Sequence, residues 1–483
     1  MRLAAWLNGI LWALLVVVVV ACGSSPGEPT PSTPSRYASV PGIEAAAPLS
    51  EYRLILILDA AKRRLMGRQQ VTFPNRTGAE LNEVVFRLYP NLPQYGGWMR
   101  VGPVWVDGQR GTSELRTGDT SLLVPLFEAL EPEASVTVSM TFDIEIPHRT
   151  GGYVLFGYSQ NIWSMPDAYP LLAIHDGSTW REDQAPAYGD AVSAAAALYE
   201  VTLTLPQTLT LATTGSVVDQ IQDPGGQHVY RIVGGPLREF TWLASADYAV
   251  IDTKAHGVDL RSFYLPDDEA AGQAALYTAA AALRIYSDAF GPYPYPEMTV
   301  VEAPLRYYGM EYPGLNLIGI ALYRDQRAEL EERVAHEIAH QWWYAQVGND
   351  QINAPWLDEG LAEYSMATYY REVYGQARVN TMVNQRWLAP YQVKVENGLD
   401  AVVNQPAAAF GEDYEVMVYA KAALFFDALR QEVGPEVFEE ILREYLARYR
   451  WRMAMPDNLL RVAESVSGQD LDGLYYRWIL SKQ

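Results

Sequence analysis

The spacing of the apolar residues changes once along this chain, near residue 252, and that change decides which folds are open to it. From about residue 50 the period is two: Val136, Val138, Met140, Phe142, Ile144 and Ile146 alternate with Thr137, Ser139, Thr141, Asp143 and Glu145. Val201, Leu203 and Leu205 repeat the pattern around Thr202 and Thr204. Successive side chains of a strand point to opposite faces, so this alternation predicts half-buried antiparallel strands. Several of them, with turn residues between, predict a β-sandwich or saddle-shaped sheet over residues 49–252. After about 255 the pattern is helical. Asp267, Asp268 and Glu269 open an Ala-rich helix that stops at Gly291-Pro292, with acidic groups where the helix dipole favours them. Further helices are predicted at about 328–345, 355–373, 417–433, 435–449 and 456–466. The expected fold is multidomain, β then α, with a mostly helical second half over 253–483.

A chain of 483 residues exceeds one typical core, and 49% apolar against 19% charged residues describes a folded protein. The formal net charge is -22. That excess argues against nucleic acid, because phosphate binding needs Lys and Arg to displace counterions. It can steer cationic peptides towards the surface, or simply keep an exported protein soluble.

The single cysteine, Cys22, excludes an intrachain disulfide. It follows Met1-Arg2 and an apolar run over Ile10–Ala21, too short for the roughly 20 residues of a membrane-spanning helix. A positive start, a short apolar stretch and a small residue before the cut describe a secretory signal over 1–21. Val19-Val20-Ala21-Cys22 resembles a bacterial lipobox, which implies cleavage before a lipid-modified Cys22 and a protein held on the outer face of a bacterial membrane. The alternative is an uncleaved anchor with an incidental cysteine. Residues 22–48 hold Pro26, Pro29, Pro31, Pro34, Pro41 and Pro48 among small residues and read as an extended tether.

The chemistry sits in His336-Glu337-Ile338-Ala339-His340. Residues four apart share a helix face, so both imidazoles can reach one ion. Leu330, Val334 and Ile338 form the buried stripe of that helix, with Asp325 available as a cap. Zn²⁺ favours imidazole nitrogen and a carboxylate with one position open, beside which Glu337 can take up a proton. Taken alone, the pattern also fits two surface histidines on an amphipathic helix. Eighteen residues separate His340 from Glu359, in a second segment, Pro355-Trp356-Leu357-Asp358-Glu359-Gly360, whose proline suits a first helical turn.

Together these two segments resemble the gluzincin aminopeptidases, the family of aminopeptidase N and leukotriene hydrolase. The resemblance implies a thermolysin-like catalytic half, one zinc ion per chain held by His336, His340 and Glu359, and Glu337 as general base. Gly309-Met310-Glu311-Tyr312-Pro313-Gly314 looks like the family's exopeptidase motif. By that likeness Glu311 binds the free α-ammonium of a peptide, and Gly309 and Met310 flank the substrate. Tyr308 and Tyr312 depart from the family's glycine and asparagine. The bare alternative is a Gly/Pro turn with an exposed glutamate. Tyr414-Glu415-Val416-Met417-Val418-Tyr419-Ala420-Lys421 resembles the family's tyrosine motif, which implies that Tyr419 donates to the developing oxyanion, with Tyr414 near the same pocket. Glu363, one turn beyond Glu359, either accepts a hydrogen bond from a ligand histidine or is solvated.

Phe86-Arg87-Leu88-Tyr89-Pro90-Asn91, Ala244-Ser245-Ala246-Asp247-Tyr248 and Phe290-Gly291-Pro292-Tyr293-Pro294 also look like family landmarks, so the likeness spans about residues 50–483. Many members continue into a large helical domain; here the sequence stops at Gln483, which implies a more open cleft. The expected activity is removal of N-terminal residues from peptides with a free amine. The rivals are an endopeptidase on the same metal group and a catalytically silent, surface-tethered binding lipoprotein.

Overall fold

The structure is a computed structural model that describes residues 48–482. The expected signal over 1–21, the tether over 22–48 except Pro48, and Cys22 lie outside the described residues. The β part is built around an eight-stranded sheet. Its centre is the strand Ser50–Asp59, paired antiparallel with Arg64–Pro74 and parallel with Ala197–Pro206. Tyr52, Leu54, Leu56 and Leu58 are buried while the residues between them are more exposed, as the period-two pattern requires. The strand Ser135–Glu145 buries Val136, Val138, Met140, Phe142 and Ile144 in the same way. Two four-stranded sheets, one containing Leu81–Arg87 and Ser121–Leu130 and the other Ile162–Pro166 and Thr241–Ser245, complete this part.

The second half is helical with a mixed sheet that the periodicity did not disclose. Ala249–Ala255 and Val258–Tyr264 pair antiparallel, and Glu297–Ala303 and Leu315–Gly319 add parallel strands. Gly309–Tyr312 closes the edge antiparallel to Leu315–Gly319. Residues 252 and 253, where the change of pattern was expected, lie inside the strand Ala249–Ala255, which belongs to this five-stranded sheet. Glu297–Ala303 is buried on both faces, Thr299 and Glu302 included, so burial does not alternate along it.

The long helix Glu269–Phe290 crosses between the parallel strands and ends at Gly291, whose φ of 125° no β-carbon tolerates easily. Its buried alanines, Ala271, Ala275, Ala279 and Ala282, allow close packing. Leu330–Ala339 is shorter than expected: the chain turns at His340, and Asp325 lies at the C-terminal end of the helix Ile320–Arg324 instead of capping the next one. Trp356–Tyr374, Pro435–Tyr449 and Pro456–Ser467 match the predicted helices. The predicted 417–433 begins as a π-helical stretch, Glu415–Lys421, before Ala422–Val433. Helical segments over Gln376–Glu396 were not anticipated. Both parts share one apolar cluster. Among the described residues no helix is long and apolar enough to cross a membrane.

Candidate metal centre and substrate site

Two helices present the metal-binding candidates. Leu330–Ala339 carries His336, with His340 at its C-terminal end, and Trp356–Tyr374 carries Glu359. Side chains clamp the two together: Tyr369 and Tyr370 donate to Glu331 (2.7 Å) and Glu332 (2.9 Å), and the Trp343 indole donates to Ser365 (2.9 Å). Tyr286 of the long helix donates to the Ala335 carbonyl. These contacts bring His336 Nε2 within 3.2 Å of both Glu359 Oε2 and His340 Nε2, and His340 Nε2 within 3.3 Å of Glu359 Oε2.

That triangle fits a metal ion. Ligands about 2.0–2.1 Å from a tetrahedral ion stand roughly 3.3 Å apart, which matches all three edges. The histidine tautomers agree. His340 Nδ1 lies 2.9 Å from the Trp343 carbonyl, which can only accept, so a hydrogen sits on Nδ1, and in the neutral ring Nε2 is the free lone pair. His336 Nδ1 lies 3.3 Å from Glu363 Oε2, off the line of a full hydrogen bond. With the hydrogen of each neutral ring on Nδ1, the two Nε2 lone pairs and a Glu359 oxygen would face one point, where a cation fits. Two imidazoles and one carboxylate are a donor set that zinc accepts.

Glu363 is buried rather than solvated. Trp387 Nε1 donates to it at 2.7 Å and the Arg386 guanidinium grips both its oxygens. Burial works to raise its pKa, but Arg386 and His336 overcome that and hold the carboxyl well below its usual range. Glu359 behaves alike: burial is outweighed by its two histidine partners. Both therefore stay ionised.

Glu337 brings a carboxylate oxygen within 4.8 Å of ligand atoms of His340 and Glu311. Burial pushes its pKa up, partly offset by the histidines and by Arg333 at 3.6 Å. Gly309 makes room for it: a β-carbon there would stand 2.0 Å from Glu337 Oε1. Tyr419 donates to Glu359 Oε1 at 2.6 Å, and burial and that carboxylate push its pKa up, so it remains a neutral donor. It projects from the π-helical stretch, a local irregularity common at functional sites. Tyr414 packs against Tyr419 and against Gly189, and its hydroxyl has no partner among the described residues. Lys421 is tied to Asp400, Ala401 and Ser481, away from the metal group.

Glu311 lies on the edge strand Gly309–Tyr312, 4% exposed, so it is no exposed turn residue. One of its oxygens is 3.9 Å from His340 Nδ1, and Glu311, Glu337 and His340 offer ligand atoms within 4.8 Å of one another. Gln351 Nε2 is shared among Glu311 (3.3 Å), Asp190 (3.2 Å) and Asp358 (2.9 Å), and Asn349 donates to Asp358 at 2.8 Å. An amide offers two hydrogens, too few for three carboxylates. Burial, with Glu359 close by, pushes Asp358 up to about 7. Gln341 holds the edge strand, receiving the Gly314 N–H and donating to the Tyr312 carbonyl and Asn316. Met310 lines a cavity beside Glu311 together with Asp190, Glu239 and Gln351.

Sequence reasoning missed Asp190, Glu239, Gln351, Arg386 and Trp387, which sit in loops or unpredicted elements with no motif. Gln341 carried a signal, since it directly follows His340.

Residues 274–478 match the model of the Peptidase family M1 domain. Aminopeptidase M1 of Arabidopsis thaliana is 24% identical over 304 residues, 59% of this chain and 34% of that protein. The alanine/arginine aminopeptidase of Saccharomyces cerevisiae is 24% identical over 251 residues, 48% of this chain and 29% of that protein. The chain thus spans about a third of the length of these curated relatives. In fold it resembles the M1 zinc metallopeptidase of Deinococcus radiodurans, with a TM-score of 0.67 at 20% identity, over 90% of this chain and 94% of that one.

Proposed function

We propose that this protein, whose residues 274–478 match the model of the Peptidase family M1 domain, is a zinc aminopeptidase that removes N-terminal residues from peptides. The observation that supports the reading is the grouping of Glu311, Glu337 and His340, whose ligand atoms lie within 4.8 Å of one another. A carboxylate that close to the hydrolytic group fixes a free α-ammonium one residue from the bond to be cut. An endopeptidase has no use for a buried carboxylate there.

His336, His340 and Glu359 would hold the ion. When bound, zinc supplies a Lewis acid and makes water acidic near neutral pH. Glu337 takes the proton of the attacking water on its carboxylate and passes it to the leaving amine. The Tyr419 hydroxyl, a neutral donor beside Glu359, turns to the oxygen of the attacked carbonyl as it becomes negative. The Trp343 carbonyl holds the His340 ring at Nδ1, Glu363 lies beside Nδ1 of His336, and Arg386 and Trp387 hold Glu363. Glu311 binds the α-ammonium through a charge-assisted hydrogen bond.

The test compares free-amine aminoacyl anilides with their N-acetyl forms, with and without chelator and restored zinc. Hydrolysis of the free amines alone, lost with chelator and recovered with zinc, supports the reading. Equal cleavage of blocked and free substrates would point to an endopeptidase, and a protein that binds no metal to a silent binding role. The signal over 1–21, the lipid on Cys22 and the tether over 22–48 belong to the same proposal. Cys22→Ser should move the protein from the membrane fraction to the soluble one, and unchanged partition would remove the anchor.

A further inference from the structure

We propose that Arg238, a residue of the β part, positions the ligand histidine His340 by gripping the turn that follows it, and so sets how tightly the metal group holds its ion. The proposal rests on the zinc reading of that group and is independent of which peptides are cut.

The two histidines are backed differently at Nδ1. His336 faces the Glu363 carboxylate, which Arg386 and Trp387 hold. His340 has a backbone carbonyl instead, that of Trp343 at 2.9 Å. A carbonyl oxygen points where its peptide unit points, and the peptide unit joining Trp343 to Tyr344 rotates about the φ of Tyr344. That angle is 137°, a region that side-chain-bearing residues avoid and that the surroundings must impose. The direction of the Trp343 carbonyl therefore depends on what holds Tyr344.

Two consecutive residues of the β part do so. Arg238 Nε donates to the Tyr344 carbonyl, and the guanidinium lies 5.7 Å from the centre of the Tyr344 ring. The Tyr344 hydroxyl donates to Glu239 Oε1. Tyr344 is thus gripped at its carbonyl, its ring and its hydroxyl. The other nitrogens of Arg238 donate to the carbonyls of Ala194 (3.0 Å), Arg452 (3.1 Å) and Gln346 (3.4 Å), which fixes both ends of the turn. Arg238 is 0% exposed, and its charge is spent on backbone carbonyls. A rigid fork of five donors can serve several chain segments at once, which the point charge of a lysine cannot match. Gly348 leaves room for it, since a β-carbon there would stand 2.2 Å from Arg238 Cζ. Without this grip Tyr344 relaxes to a negative φ and the Trp343 carbonyl swings off Nδ1. His340 then loses the acceptor that orients its ring and leaves Nε2 free for the ion.

The experiment titrates zinc into the folded protein against a chelator of known strength and follows thermal melting of the metal-free form. Arg238→Met should weaken zinc binding by about 10–100-fold, the loss usual when the support of a ligand histidine goes. Arg238→Lys keeps the charge without the fork and should fall between Arg238→Met and the wild type. Tyr344→Phe loses only the bond to Glu239 and should weaken binding least. If melting shows Arg238→Met to be unfolded, the other two variants carry the test. Tyr248→Phe is the control: it removes a buried hydrogen bond to the Glu302 carbonyl (2.7 Å) that does not involve the turn. It should lower the melting temperature and leave zinc affinity unchanged. Wild-type affinity in folded Arg238→Lys and Tyr344→Phe, or an equal loss in Tyr248→Phe, overturns the proposal and makes Arg238 a structural tie alone. Wild-type protein that takes up no zinc overturns the metal reading and this proposal with it. Graded zinc affinities without cleavage of any free-amine anilide would support the positioning role and overturn the aminopeptidase.

Discussion

The two sides of His340 are built on opposite principles. On the metal side, carboxylates are matched by partners: Glu363 by Arg386, Trp387 and His336, and Glu359 by two histidines and Tyr419. On the substrate side, Asp190, Glu311 and Asp358 compete for one amide of Gln351, and Glu239 keeps an oxygen unpaired. Both sides are buried, so dielectric does not separate them. What differs is whether the fold supplies the countercharge. A site that must hold one ion rigidly surrounds its ligands with fixed donors. On the other side the acceptors outnumber the fixed donors, and in the proposed reading the α-ammonium of a substrate supplies the missing ones.

The largest effect should come from the group between the two sides. Glu337→Gln keeps the shape and loses the proton acceptor, and kcat should fall by about 10³-fold, within the usual range for a positioned acid–base group. Zinc content, measured by atomic emission, should stay at one per chain. A variant retaining a tenth of the activity would remove Glu337 from the chemistry. On the substrate side, Glu311→Ala removes one partner of a buried charge pair, a loss of about 2–5 kcal/mol and so at least about thirtyfold in kcat/KM for free-amine anilides. Any residual hydrolysis of N-acetyl anilides should not fall with it. Parallel losses on both substrate classes would mean that Glu311 supports the strand rather than the amine.

The same contrast explains how much the sequence disclosed. The metal side was legible because a helix imposes its own spacing: His336 and His340 one turn apart, with Glu359 a fixed distance on. The β part was legible because Tyr52 to Leu58 and Val136 to Ile144 are buried on one face only. The strands Glu297–Ala303 and Leu315–Gly319 are buried on both faces and so leave no alternation to read. The substrate side was not legible because it is assembled from far-apart places. Asp190 comes from a loop of the β part, Glu239 from the approach to the strand Thr241–Ser245, and Gln351 from the turn between the two metal-binding helices. None has a spacing that a helix or strand fixes. Arg386 and Trp387 were hidden likewise, in a π-helical stretch whose period is neither 3.6 nor 2.

A milder break of the metal side tests whether its partners matter. Glu363→Gln leaves the size of the side chain and removes the charge that faces His336 and Arg386. Zinc affinity, titrated against a chelator of known strength, should weaken by about 10–100-fold. Turnover at saturating zinc should change less than in Glu337→Gln. Unaltered affinity would mean that Glu363 serves the helix packing alone.

The smallest effect concerns stability, and it asks whether unmatched charge beyond the substrate side carries a cost. Asp167 is fully buried, neither oxygen has a partner among the described residues, and burial pushes its pKa up to about 8. An unfolded aspartate titrates near 3.9, so between about pH 4 and pH 8 the folded state holds a proton that the unfolded state has released. Stability from this group is therefore present in acid and is lost as pH rises towards 8. Asp167→Asn keeps the shape and suits the φ of 50° at this position, while removing the charge that must otherwise be suppressed. The Tm of the zinc-loaded variant should exceed that of the wild type at pH 8, and the gap should narrow markedly at pH 5. A gap of equal size at both pH values would show that Asp167 is paired in solution, and that the matched and unmatched sides are less distinct than their geometry.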